Sequence, residues 1–424
     1  LQSNKVKYIA PFVALIHGMN SISTLKEIDK QAKKLDKHID ILLQLHVATE
    51  ESKFGFSEEE VLEIASQKDL YSNVNFRGVM GMASFTEDQA LIRTRSQAVA
   101  LGLFLIALLA LPVYSEIRWV AIMTSMLITA VVVMGLQINT GLAGQVNLGQ
   151  AAFMGVGAYA TALLATKANL PFWLALPLGG LCAALFGLVF GMAAMRIKGF
   201  YLALTTIAAQ ILFHFFVLNL PANWLGGSNG ITLEAAEFFG FAFNTDTRIY
   251  YLCLVVACVM VAGAYGVARS RHGRIFAAVR DDDVASGMMG INVVRTKVLA
   301  FLLGAFYAGI GGGLWAFYVR FVAIDQFTLI HSIWFIAMII VGGMGSVTGA
   351  LIGVVVIRTV QESITIVGPS LVENFSFLSG DVVFAVMNIF LGGVIAGFLI
   401  FEPRGLMHRW NIIKRSYRTW PYPY

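Results

Sequence analysis

The chain has 424 residues, of which 58% are hydrophobic and 13% are charged, and its mean hydropathy is +0.74. A soluble globular domain carries about 25% charged residues, so this balance excludes an ordinary soluble protein over most of the length. The formal charge of +5 does not point to nucleic acid, because Arg and Lys are gathered in short gaps between apolar stretches, the bias of a multi-pass membrane protein.

Residues 1–88 stand apart: they are rich in Lys and Glu. Their pattern predicts strands at 8–18, 38–48 and 73–83 and helices at 21–35 and 57–67, the alternation of a parallel α/β unit. No leader pattern of a basic run followed by a short apolar run is read in this segment. A junction at 89–97 follows, and the membrane portion runs over 98–408.

A helix crosses the hydrocarbon core in about 20 residues. Spans are predicted at 98–114, 117–138, 146–166, 172–195, 200–220, 249–268, 298–319 and 382–401. The stretch 330–368 is too long for one span and is split by Gly342, Gly343 and Gly345. Basic clusters at Arg93 and Arg95, Arg196 and Lys198, Arg269 to Arg280, and Arg404 to Arg418 belong on one side, the cytoplasm. Reading 330–341 and 347–367 as two crossings satisfies that parity, giving about ten crossings with both termini cytoplasmic. A re-entrant hairpin there satisfies it equally. Arg358 falls inside this region, where a charge is costly unless it faces a cavity or a partner. The basic tail is 409–424.

The 135–159 stretch, GLQINTGLAGQVNLGQAAFMGVGAY, is a glycine-studded polar interruption between apolar stretches. Lipid tolerates non-helical backbone only where protein buries it or it lines a wet cavity, so an interrupted span points to a transport pathway. Gly141, Gly144, Gln145, Asn147, Gly149 and Gln150 are the pathway candidates here, with Thr205 and Gln210 on the 200–220 span; Thr206 and His214 share a face with Gln210. Gly342, Gly343, Gly345 and Gly349 are candidates for a helix break or gate, at the spacing that also permits close helix packing.

The loop 269–296 carries Ile275, Phe276 and Val279 at helical spacing. Asp281, Asp282 and Asp283 then open a second short helix with Val284, Met288 and Met289 as its apolar positions and Gly290 at its end. Such an amphipathic element suits a partner's groove. The aspartate run lacks the alternating ligands and turn glycine of a calcium loop, so no metal is expected. The three cysteines lie in apolar spans and read as small hydrophobes. The chain contains no G-x-x-x-x-G-K-[ST] phosphate loop, so ATP would be hydrolysed elsewhere.

The stretches GLAGQVNLGQAAFMGVGAYATALLA, KGFYLALTTIAAQILF, GGSNGI, SRHGRIFAAVRDDDVASGMMGINVVRTKVLAF and GGMGSVTGALIG occur in order and resemble the membrane permeases of branched-chain amino-acid ABC importers, the LivM type. The resemblance implies an all-α polytopic fold in a bacterial inner membrane. It also implies no enzyme activity, separate ATPase subunits that bind the ATP, a second related permease, a periplasmic solute-binding protein and contact with membrane lipid. It assigns Gly273, Arg274, Arg280, Asp281, Asp283, Ala285 and Gly290 to the loop that couples to the ATPase. It sets Gly226, Gly227, Ser228 and Asn229 in an outer loop facing the binding protein. The urea and short-chain-amide permeases share these motifs, and a stand-alone channel or carrier would need no partner.

LQSNKVKYIAPFVALIHGMNS, ILLQLHVATEESKFGF and FRGVMGMASFTED resemble an internal stretch of the YggS-type PLP-homeostasis proteins, whose fold is an alanine-racemase-like barrel. That family's cofactor lysine and phosphate cradle lie on strands with no match here, and Lys53 matches a position other than the Schiff-base lysine. An incomplete TIM-barrel segment without PLP is therefore expected, arising from an accidental joining of two reading frames (a gene fusion), with a regulatory domain as the alternative.

Overall fold

The computed structural model describes all residues except 1–2, 46–55, 68–69, 82–107, 113, 194–196, 198, 222–224, 239–240, 375–388, 390–391, 394–395, 399, 401, 403–404 and 420–424. It divides into two compact units, Leu1–Leu108 and Leu109–Tyr424.

The first unit contains β1 (Leu15–Met19), α1 (Ile22–Lys34), β2 (Ile39–Leu45), α2 (Glu58–Ser66) and β3 (Val74–Gly81). The strands form one parallel sheet in the order β1-β2-β3. Met19, Leu25, Ile28, Ile39 and Ile41 are wholly buried between helix and sheet. Ser57 starts α2 through a capping box: its hydroxyl accepts from the Glu60 N–H while the Glu60 carboxylate accepts from the Ser57 N–H at 2.8 Å. Asn75 and Arg77 on β3 hydrogen-bond to Asp40 on β2 and hold its carboxyl below the usual range. The first strand is shorter than its pattern suggests: Val6–Ile9 is a helical turn, and the strand begins only at Leu15, after Pro11. Lys53 lies outside the described residues.

The second unit is helical. Its helices are α3 (Ile117–Leu136), α4 (Gln150–Thr166), α5 (Phe172–Ala193), α6 (Phe200–Asn219), α7 (Asp246–Arg269), α8 (Arg271–Asp281), α9 (Asp283–Met288), α10 (Val293–Val319), α11 (Leu329–Gly342), α12 (Val347–Asn374) and α13 (Leu406–Thr419). Among the described residues, seven helical segments are long and apolar enough to cross a membrane. The predicted spans 98–114 and 382–401 fall largely outside the described residues. The stretch 330–368 forms two helices, α11 and α12, turning at the predicted glycines. The basic tail continues as α13.

The central helix is α10, with α3, α4 and α5 packed around it. Small residues set these distances. A Cβ on Gly157 would strike the Gly309 backbone, one on Gly312 the Met154 carbonyl, and one on Gly135 the Gly304 carbonyl. Without a hydrophobic drive between helices in lipid, such backbone proximity lets van der Waals packing hold the helices together. At one end of the bundle, β4 (Ile231–Thr232) pairs antiparallel with a strand at Phe321–Val322. The α8–α9 loop lies at the opposite end of α7 and α10.

Candidate functional site: an interrupted span joined to a polar loop

Helix α3 ends in a π-helical turn, Gln137–Leu142, and an irregular segment then leads to Gln150. The predicted span 146–166 is thus only 17 helical residues long, and it starts inside the bundle. The freed backbone groups find partners, as the lipid setting requires. The Leu148 N–H donates to Thr206 Oγ1 at 2.9 Å, the Gly149 N–H to Asn147 Oδ1 at 2.9 Å, and the Ala151 N–H to Ser332 Oγ at 2.9 Å. The Gln150 amide nitrogen donates to the carbonyls of Val132 at 3.0 Å and Gly304 at 3.3 Å, tying α4 to α3 and α10. Asn147 Nδ2 donates to Gln150 Oε1 at 2.8 Å. A Cβ at Gly149 would clash with the Thr206 carbonyl, so this closeness requires glycine.

The two neighbouring threonines differ. Thr205, the sequence candidate, turns its hydroxyl back to the Tyr201 carbonyl at 3.0 Å on its own helix, whereas Thr206 is fully buried and holds Leu148. Thr206→Val leaves the Leu148 N–H without an acceptor and is expected to cost about 1–3 kcal/mol, while Thr205→Val should stay within about 0.5 kcal/mol. Thermal unfolding of the two variants in detergent compares them directly. Gln210 donates to the Phe327 carbonyl at 2.5 Å, anchoring α6 to the segment before α11.

The side-chain amides of Gln137, Asn139 and Gln145 are buried without a partner among the described residues. Three unpaired amides around one helix break mark a polar interior, where a solvated pathway or a polar substrate could meet them.

The loop helices are built by their caps. Ser270 Oγ accepts from the His272 and Gly273 N–H groups and starts α8. Asp282 Oδ1 accepts from Val284 at 2.9 Å and Ala285 at 3.0 Å and starts α9. Asp283 pairs with Lys297 of α10 at 3.0 Å, fixing α9 against the bundle. Gly290 takes a positive φ of 83° where the chain turns toward α10. Phe276 and Val279 are buried, whereas Val284, Met288 and Met289 are 61%, 85% and 84% exposed. The apolar face of α9 is thus presented outward. The Arg274 guanidinium makes a long contact with the Arg269 carbonyl, at 3.4 Å.

Arg280 brings three predicted groups together. Its Nη1 donates to the Gly141 carbonyl in the π turn at 3.0 Å. Its aliphatic stem fills the space where Gly144, at φ +69°, lacks a Cβ. Gly345, at φ +85° in the α11–α12 turn, lies against the same guanidinium. A cavity of about 340 Å³ opens here between Gly144, Gln145, Leu202, Arg280, Asp283 and Lys297. In the α11–α12 turn, Gly342 and Gly349 meet backbone to backbone, and Gly343 takes a positive φ of 121°. Gly226–Asn229 is elsewhere, in a tight turn at the β4 end: the Asn229 N–H donates to the Gly226 carbonyl at 3.0 Å, and Gly226 and Gly227 both take positive φ. Nothing in the sequence pattern singles out Ser332, Gly304 or Phe327, which the fold brings to the site from distant helices. Among the described residues, no group of three or more His, Cys, Asp or Glu is placed to hold a metal.

Residues 118–387 match the family model described as branched-chain amino acid transport system / permease component. The chain is 30% identical over 333 residues to the high-affinity branched-chain amino acid transport system permease protein LivM of Escherichia coli (strain K12), covering 72% of this chain and 74% of that one. It is 24% identical over 282 residues to a probable branched-chain amino acid transport permease protein LivH of Methanocaldococcus jannaschii, covering 64% of this chain and 86% of that one. A separate similarity of 34% over 91 residues is to the pyridoxal phosphate homeostasis protein of Helicobacter pylori, of whose length this chain spans 41%.

Proposed function

Since the chain belongs to the branched-chain amino acid transport permease family, we propose that it is the membrane subunit of an ABC importer moving leucine, isoleucine or valine across a bacterial inner membrane. The observation that carries this reading is the Arg280–Gly141 hydrogen bond, which ties a polar loop to an interrupted span. On this reading the outward apolar face of α9 sits in a groove of an ATPase subunit, where ATP is hydrolysed. Closure of the ATPases pushes α8 and α9. Arg280 passes that displacement to the π turn at Gly141 and to the α11–α12 turn at Gly345. The break then shifts as a unit, because its backbone N–H groups stay paired to α6 and α11 and the Gln150 side chain to α10. A second related permease chain completes the pathway, and a periplasmic binding protein delivers substrate at the β4 end, near Gly226–Asn229.

The leading α/β unit is read as a barrel fragment that holds no PLP. Adding PLP to the purified chain should give no absorbance band that depends on Lys53; a band lost in Lys53→Ala would overturn this.

The test of the main reading is gentle solubilisation of native membranes, capture of this chain and mass spectrometry of what accompanies it. Recovery of ATPase subunits and a second permease is expected. Recovery of this chain alone would overturn the importer reading in favour of a carrier or channel.

A further inference from the structure

A second cavity, of about 480 Å³, lies between α3, α4, α10, α11 and α12, away from the loop. Its walls have two characters. Met154, Trp315, Ile330, Trp334, Phe335 and Met338 give an apolar side. Arg358, Gln361 and Glu362 on one face of α12, with Thr129 of α3, give a charged side. Thr129 lies about 18 Å along α3 from Gly141, so this cavity is distinct from the one beside Arg280.

The charged side is held in place. Thr129 donates its own hydroxyl proton to the Ser125 carbonyl, so its oxygen is free to accept from Arg358. It accepts from Nη2 at 2.8 Å and Nε at 3.2 Å, while Nη1 donates to Gln361 Oε1 at 3.4 Å. A guanidinium has five N–H donors. These bonds leave one on each terminal nitrogen, the pair that forks a carboxylate. Glu362 lies one helical turn beyond Arg358, and the ion pairs among the described residues do not include these two with each other. A cation and an anion thus stand one helical turn apart in a membrane span, attracting one another through space but with no direct ion pair, an arrangement that a ligand carrying both charges completes.

We propose that this cavity binds a zwitterionic α-amino acid with an apolar side chain, its carboxylate on Arg358, its ammonium on Glu362 and its side chain against Trp334 and Ile330. The inference rests on the importer reading and adds to it a place where substrate halts within the membrane. Arg358 and Glu362 then supply in one site the two opposite charges that a free amino acid carries. The indole of Trp315, fixed by its N–H on Gln326 Oε1 at 3.2 Å, closes the apolar side.

The test uses the whole importer in two formats. In proteoliposomes, wild type accumulating radiolabelled leucine supports the importer reading, and Arg358→Gln and Glu362→Gln should each lower uptake at least about tenfold, the value of one charged contact. In detergent, tryptophan fluorescence of the complex without binding protein is titrated with leucine and with leucinol, which lacks the carboxylate. Wild type should prefer leucine; Arg358→Gln should bind the two equally, and Arg358→Lys should restore part of the preference. Uptake by wild type with unchanged uptake in both variants overturns the site and leaves the importer reading standing. An equal loss of leucine and leucinol binding in Arg358→Gln overturns it too, because a purely structural arginine affects both ligands alike. Absence of uptake by wild type, with its partners present, overturns the importer reading itself.

Discussion

Arg280→Glu is expected to abolish substrate uptake by the assembled transporter while leaving the chain inserted in the membrane. The arginine makes a charge-assisted hydrogen bond to the Gly141 carbonyl, worth about 1.5–3 kcal/mol. Glutamate removes the donor and sets a carboxylate against that carbonyl. It also extends the Asp281–Asp283 run into four adjacent acids, next to a glycine turn shaped around the arginine stem. Arg280→Lys should retain part of the uptake, since a single ammonium can reach one carbonyl but cannot fork. Asp281→Asn separates the Gly141 contact from the neighbouring ion pair. The Arg280–Asp281 pair is solvent-exposed on both partners, and such pairs contribute about 0–1 kcal/mol, so uptake should change little. A loss of uptake in Asp281→Asn equal to that in Arg280→Glu would shift the role from the Gly141 contact to the aspartate.

Gly342→Val should be strongly destabilising. A Cβ at Gly342 would be driven into the Gly349 carbonyl and the Gly353 backbone, on a helix that packs with nothing between the chains. Neither backbone can yield without parting α11 from α12, so the cost is about 3 kcal/mol or more. The melting temperature of the detergent-solubilised protein should fall sharply, with little protein recovered from membranes. Gly266→Ala on α7 is the comparison: nothing lies within contact of a Cβ there, and added helix propensity should leave stability equal or slightly higher. Wild-type stability in Gly342→Val would mean that the turn is loose, and that its glycines serve motion and not packing.

Much of this architecture was legible in the residue pattern because it is local. The β-α-β-α-β alternation of the leading unit, the split of 330–368 at its glycines and the start of α9 at the aspartates each depend on residues a few positions apart. Elsewhere the pattern ran out for physical reasons. The choice between Thr205 and Thr206 depends on the rotational phase of α6, which Leu148 and Phe327 set from other parts of the chain. The late start of α4 comes from Asn147 capturing the Gly149 N–H, and no periodicity reports a side chain folding back on its own backbone. Ser332 supports Ala151 across 181 positions, a distance at which only the fold has information. Arg358 was visible as a cost in a membrane span; the hydroxyl of Thr129 that orients it was not.

The glycine contacts around α10 carry a mechanical implication. Where Gly309 lies on Gly157, Gly312 on Met154 and Gly304 on Gly135, backbone approaches backbone, and few flexible side chains stand there to change rotamer and absorb a displacement. Helices joined in this way neither slide nor twist by small steps without losing contact along their length. The close contacts among α3, α4, α5 and α10 therefore favour movement of these helices as a group over independent movement of any one of them.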